Sequence, residues 1–180
     1  MRAFIALELP RQIKTEIGKI QQELKKMGIQ AKWINPEIVH LTLAFLGSIT
    51  SDKIELIGKI LEEVSYQIKA VKLKLYQVGC FPSPTKARII FVNLQGELGK
   101  LNALAIKIRK RLKKEKIYFD EKPFAAHITL GRVKDHQNLT EKINKVKVKK
   151  SEFITDEIAL TESQLTKNGP IYTTLKDVFL

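Results

Sequence analysis

The chain is poor in sulfur and in histidine, with one cysteine and three histidines among 180 residues. A lone cysteine, Cys80, excludes an internal disulfide, and one Cys with three His is a thin supply for a closed zinc site, which takes four N or S ligands. No apolar run reaches the roughly 18 residues of a membrane span. The opening MRAFIALELPRQ lacks both the long apolar stretch and the small-residue cleavage site of a signal peptide. The expectation is a cytoplasmic protein with no membrane partner, no metal and no cofactor. A Gly-rich phosphate loop of the P-loop type is missing. Cys80 stands in CFPSPTK with no base beside it, so it does not read as a nucleophile. No Gly/Ser hinge or low-complexity linker divides the chain, and residues 1–180 read as one domain, long enough to bury a core of its own.

Basic residues, by contrast, are in excess: 32 Lys and Arg face 19 Asp and Glu, a formal charge of +13. That balance suits a polyanionic partner such as nucleic acid, or a phosphate-bearing substrate. A Lys-rich surface also serves solubility and ion pairing, so charge alone does not decide. The densest run, KIRKRLKKEK at Lys107–Lys116, keeps Ile108 and Leu112 on one helical face and turns its cations outward, as a solvated helix does.

Hydrophobic periodicity gives an order of elements. AFIALEL (Ala3–Leu9) reads as a central strand closed by Pro10. Ile13, Ile17, Ile20, Leu24 and Met27 recur at helical spacing up to Gly28. A loop holding Trp33, Asn35 and Pro36 leads into the strand HLTLAFLG. Asp52 is expected to N-cap a second helix bearing Ile54, Ile57, Leu61, Val64 and Ile68. KLKLYQV alternates as a strand with one wet face. CFPSPTK reads as a loop, ARIIFVNL as a buried strand, and Leu98–Leu112 as a third helix. FAAHITLGRV is a strand, Leu139–Val146 a short helix, and two late strands fall near Asp156–Leu160 and Ile171–Leu175. Helix, loop, H-x-T-L strand, helix thus occurs twice. His40 lies 29 residues after Arg11, where the first helix starts, and His127 lies 30 after Glu97, where the third starts. Two similar lobes facing each other are expected.

Two of the three histidines head the same tetrapeptide, HLTL at His40 and HITL at His127. With 11 Thr and 21 Leu in the chain, chance would produce this in roughly one sequence of this composition in several thousand. On a strand, residues i and i+2 share a face. His40 and Thr42 then point one way and Leu41 and Leu43 the other; His127 and Thr129 oppose Ile128 and Leu130 likewise. A cleft between the lobes would receive two imidazoles and two hydroxyls. Imidazoles with an ordinary pKa near 6.5 suit metal-free acid–base chemistry, one accepting a proton and one donating it.

The extended forms His40-x-Thr42-x-x-Phe45 and His127-x-Thr129-x-x-Arg132 resemble the signature of the two-histidine phosphoesterases, and within them the RNA 2′,3′-cyclic phosphodiesterases, also called 2′-5′ RNA ligases. The resemblance covers nearly the whole chain, including MRAFIALELP, HLTLAFLG, CFPSPTKARIIFV, KPFAAHITLGRV and LTESQLTKNGPIYTTL. It implies an α+β bilobal fold, two antiparallel sheets facing a central cleft with helices outside. One departure is visible: the family usually has proline before the second histidine, where this chain has Ala126. The resemblance also implies that His40 is the general acid on the ribose O3′ leaving group and His127 the general base on water. Thr42 and Thr129 would hold phosphate oxygens, Arg132 would clamp the phosphate and Phe45 would stack on the terminal base. The implied partner is RNA with 2′,3′-cyclic phosphate ends, tRNA fragments included; a monomer is expected.

One point of geometry resists. Phe45 and Arg132 stand at i+5 from their histidines, the wrong parity for a regular strand, so each strand must twist, bulge or end before them; Gly131 is the expected bulge residue in the second. His136, in KDHQN, reads as a solvated loop residue, and Tyr172 as lining either the cleft or the core. Two other functions stay open: 2′-5′ ligation or cleavage with a ribose hydroxyl in place of water, and a non-catalytic RNA-binding module, against which both intact motifs argue.

Overall fold

A computed structural model describes residues 1–167 and 169–180. The elements, in order, are β1 (Arg2–Leu7), α1 (Arg11–Lys26), β2 (Lys32–Trp33), β3 (Leu41–Ser48), α2 (Asp52–Ser65), β4 (Val71–Phe81), β5 (Ala87–Gly96), α3 (Leu98–Lys114), β6 (His127–Gln137), α4 (Thr140–Lys145), β7 (Glu152–Thr155), β8 (Glu157–Thr166) and β9 (Gly169–Phe179). They build an α+β structure with two antiparallel sheets, one ordered β3-β1-β8-β9 and the other β2-β6-β5-β4-β7. The motif strands β3 and β6 belong to different sheets and approach each other. No helix among the described residues is long and apolar enough to cross a membrane.

The helices form where the apolar stripes lie. In α1 the buried side chains Ile13, Ile17, Ile20 and Leu24 run along one face. Its end is set by Gly28 at φ 76°, whose N–H bonds the Lys25 carbonyl while Ile29 N–H bonds Leu24. That pair of bonds needs a left-handed residue, which glycine supplies without steric cost. In α3 the buried face is Leu101, Leu104, Ala105, Ile108 and Leu112, the stripe the spacing indicates. These side chains join those of β1, β3, β5 and β6 in one connected apolar cluster.

Several expectations are corrected. Trp33 is in β2, a two-residue strand that periodicity has no room to register. Ser51 is the residue capping α2, with no side-chain cap bond, and Asp52 is the first helical residue, placed where its charge favours the helix dipole. Cys80 and Phe81 continue β4, so the loop begins only at Pro82. Among the described residues the late strands number three: β7 adds itself to β4, and β8 and β9 form a long hairpin. β4 loses its strict alternation where its register slips between Leu75 and Val78.

Candidate active site

The parity problem is solved by two bulges. On β3, Ala44 lies opposite Ile5 while Thr42 lies opposite Ala6, so Leu43 is an extra residue. On β6, Gly131 lies opposite Ile90 while Thr129 lies opposite Phe91, so the extra residue is Leu130 and not the expected Gly131. An extra residue shifts the alternation by one. Thr42 and Phe45 therefore share the face of their partners Ala6 and Phe4. His127, Thr129 and Arg132 share the face of Asn93, Phe91 and Ile89. Gly131 is suited to its place because a Cβ there would come within 3.0 Å of the Trp33 ring and 3.1 Å of Lys32 O.

Each imidazole is fixed in the same two ways. His40 Nδ1 donates to Ile38 O at 3.0 Å, and His127 Nδ1 donates to Ala125 O at 2.6 Å. A carbonyl only accepts, so in each ring Nδ1 carries the hydrogen and Nε2 is left for chemistry. Aromatic rings then hold the imidazole planes. Phe4 stacks on His40 (centroids 4.4 Å, 18°) and Tyr172 meets it edge-on at 5.3 Å. Phe81 and Phe91 meet His127 edge-on at 5.0 and 5.3 Å. Phe91 can lie where it does because Gly79 has no side chain beneath it. Burial is the main cause that lowers the pKa of both histidines below its ordinary value; the backbone hydrogen bonds act the other way, and at His40 so does the Glu8 carboxylate.

Arg132 on β6 and Tyr172 on β9 stand on opposite sheets. Burial raises the Tyr172 pKa, and the Arg132 guanidinium from the other sheet pulls it down. Tyr172 in turn touches His40 and, at 5.1 Å, Phe4. Phe45 lies 6.3 Å from Phe4 and keeps 51% of its surface exposed, a ring free to take a planar partner. Tyr172 is thus a cleft residue. Phe4, Phe81 and Phe91 carry no motif of their own in the sequence, and strand alternation, which places every second residue on the histidine face, is the signal that points to them.

Other candidates lie elsewhere. Cys80 opposes Ile90 on the buried side of its sheet, and burial pushes its thiol up to about 11. His136 is exposed but lies in strand β6 and not in a loop, with Nδ1 on Lys86 O. The basic run on α3 is spent partly on neighbours: Lys107 reaches Gln67, Arg111 pairs with Glu63 of α2, and Lys113 pairs with Glu121. No group of three or more His, Cys, Asp or Glu side chains that could hold a metal ion occurs among the described residues.

Known proteins resemble this chain along nearly its whole length. The LigT like Phosphoesterase family matches residues 7–91 and 93–172, each stretch holding one motif. A protein of Methanocaldococcus jannaschii named RNA 2′,3′-cyclic phosphodiesterase is 34% identical, over 98% of this chain and 99% of its own. One of the same name from Aquifex aeolicus is 33% identical over 100% and 97%. Among solved structures, TT0787 of Thermus thermophilus superposes with a TM-score of 0.78 at 26% identity, covering 100% of this chain and 98% of that one. E. coli LigT complexed with 3′-AMP superposes at 0.73 and 23% identity over 99% and 97%, a likeness of fold.

Proposed function

The chain belongs to the LigT-like phosphoesterases, and from that we propose that it is an RNA 2′,3′-cyclic phosphodiesterase. It acts as a cytoplasmic monomer on RNA ends, those of tRNA fragments included, and leaves a 2′-phosphomonoester. In this reading residues 1–180 are one domain of two pseudo-symmetric lobes, each bringing one histidine to the cleft.

His127 Nε2 takes a proton from water as the water oxygen bonds to phosphorus. The P–O3′ bond breaks on the opposite side, and His40, entering the step protonated, gives its Nε2 proton to O3′. One proton is taken up and one released, so the step balances; exchange with solvent resets the pair. Thr42 and Thr129 donate to the non-bridging oxygens. Arg132 sets its planar fork against the phosphate, whose charge grows in the transition state. Phe45 stacks on the terminal base, a contact that tolerates any sequence.

The observation that carries this reading is the matched pair of Nδ1–carbonyl bonds. They occupy Nδ1 of both rings and leave Nε2 to the reaction, bare on the base and protonated on the acid. The test is an oligoribonucleotide ending in a 2′,3′-cyclic phosphate, followed to the 2′-phosphate. His40→Ala and His127→Ala are each expected to lose at least 10²–10⁴-fold in rate, the usual contribution of one acid or base, while exposed His136→Ala keeps the wild-type rate. A near-normal rate in either cleft variant overturns the assignment.

A further inference from the structure

A bulge on a strand is a place where the register can slip, and a slip of one residue turns every following side chain to the other face. In β3, an edge strand, and in β6 the extra residue is the fourth of H-x-T-L, and in both its carbonyl is held by a side chain from another part of the chain. Arg109 on α3 donates from Nε to Leu43 O at 3.0 Å. Gln21 on α1 donates from Nε2 to Leu130 O at 2.9 Å. The helix leading to the second histidine thus grips the first histidine's strand, and the helix leading to the first grips the second's.

Both grips are anchored. Arg109 also donates from Nη1 to Lys122 O at 2.7 Å, and its guanidinium lies 5.8 Å from the ring centre of Phe119 and 5.7 Å from that of Phe124. It therefore ties the β3 bulge to the segment that leads into β6. Gln21 is 2% exposed and gives its second donor contact to Ile34 O at 2.7 Å, while Ile34 N–H bonds Leu130 O. A buried amide placed between two carbonyls has little freedom to turn away.

We propose that Arg109 and Gln21 are a pair of positioning residues, each clamping the bulge of the opposite motif so that Phe45 and Arg132 stay on the cleft face. The proposal rests on the roles given above to those two residues. Neither clamp touches the reacting phosphate. Each acts through one cleft side chain, and the two act through different ones: Gln21 through the phosphate clamp and Arg109 through the base platform.

That difference is the test, made on a mononucleoside 2′,3′-cyclic phosphate. Gln21→Met keeps the length of the side chain and removes its donors. It is expected to lower kcat by roughly 10- to 100-fold, the cost of a misplaced catalytic contact, and to add nothing in an Arg132→Ala background. Arg109→Lys keeps the charge but cannot span both carbonyls with a planar fork. It is expected to raise KM roughly tenfold or more, as loss of one base stack does, and to add nothing in a Phe45→Ala background. A general loss of structure would move both variants the same way and would add to the cleft mutations. Because Gln21 is buried, thermal unfolding is recorded alongside, and Gly131→Ala, which crowds the β6 bulge from the β2 side, must give the same kcat loss, silent without Arg132. Wild-type kcat in Arg132→Ala overturns the role of Arg132 and the clamp with it. A loss in Arg132→Ala that adds in full to that of Gln21→Met, a Gly131→Ala variant with full kcat, or matching kinetic changes from Gln21 and Arg109, overturns the clamp alone.

Discussion

Gly79→Ala adds one methyl group beneath the ring that steadies His127. The added Cβ would sit 2.8 Å from Cε2 and Cζ of Phe91 and 3.3 Å from Asn93 Nδ2. Carbon atoms rest at about 3.5–4.0 Å, so the ring must give by about an ångström. It has little room to do so, being 5% exposed, 4.1 Å from the Phe81 ring and edge-on to His127. Overpacking costs roughly 1–3 kcal/mol, and alanine returns about 0.5–1 kcal/mol of the strand penalty of glycine, leaving a net loss near 0.5–2 kcal/mol. For a chain of this size that is a fall in Tm of roughly 1–8 °C. The rate should suffer more, because a displacement of about 1 Å in an acid–base group costs on the order of 100-fold. Thermal unfolding and kcat on a mononucleoside 2′,3′-cyclic phosphate measure the two effects. Gly99→Ala is the control: its Cβ meets nothing within 4 Å on α3, so it should leave kcat unchanged and stabilise by up to about 1 kcal/mol. Full activity and an unchanged Tm in Gly79→Ala would falsify the claim that Phe91 holds His127.

The lowered histidine pKa values fix the sign of the pH response. The base must be neutral and the acid protonated, so in the free enzyme both limbs of kcat/KM lie below the ordinary value of about 6.5, and kcat/KM should fall as pH rises through neutrality; a value still climbing from pH 6.5 to 8 refutes the acid–base pair. The same shifts mean that the folded protein binds fewer protons than the unfolded one, so stability should decline as pH drops through about 6.5, read by Tm against pH. Since Lys107 and Arg111 are engaged by Gln67 and Glu63, neutralising Lys107, Arg111 and Lys114 together should leave the salt dependence of KM for long RNA close to wild type; a clearly flatter slope would place α3 on the RNA path. Excess EDTA should leave the rate intact, and loss restored by a divalent ion would contradict two-histidine chemistry.

Much of the site was legible because its signal is local. A repeated H-x-T-L needs only four residues, and strand alternation places its histidine and threonine together. Even the bulge could be inferred, since Phe45 and Arg132 are out of phase with their histidines. What stayed hidden depends on partners distant in sequence. Nothing near Phe4 indicates that its ring stacks on His40, and Gln21 looks like any polar residue on a helix until Leu130, 109 positions on, is placed beside it. β2 and β7, at two and four residues, are too short for a period to emerge. The far half of the long β8–β9 hairpin carries polar and exposed residues in place of an apolar alternation, so periodicity marks only the near half.

The bonds from each Nδ1 to the carbonyl two residues earlier have a consequence for motion. Each is internal to its own strand entry and crosses no gap between the sheets. A shift of one sheet against the other would therefore leave both bonds in place, and with them the proton on each Nδ1.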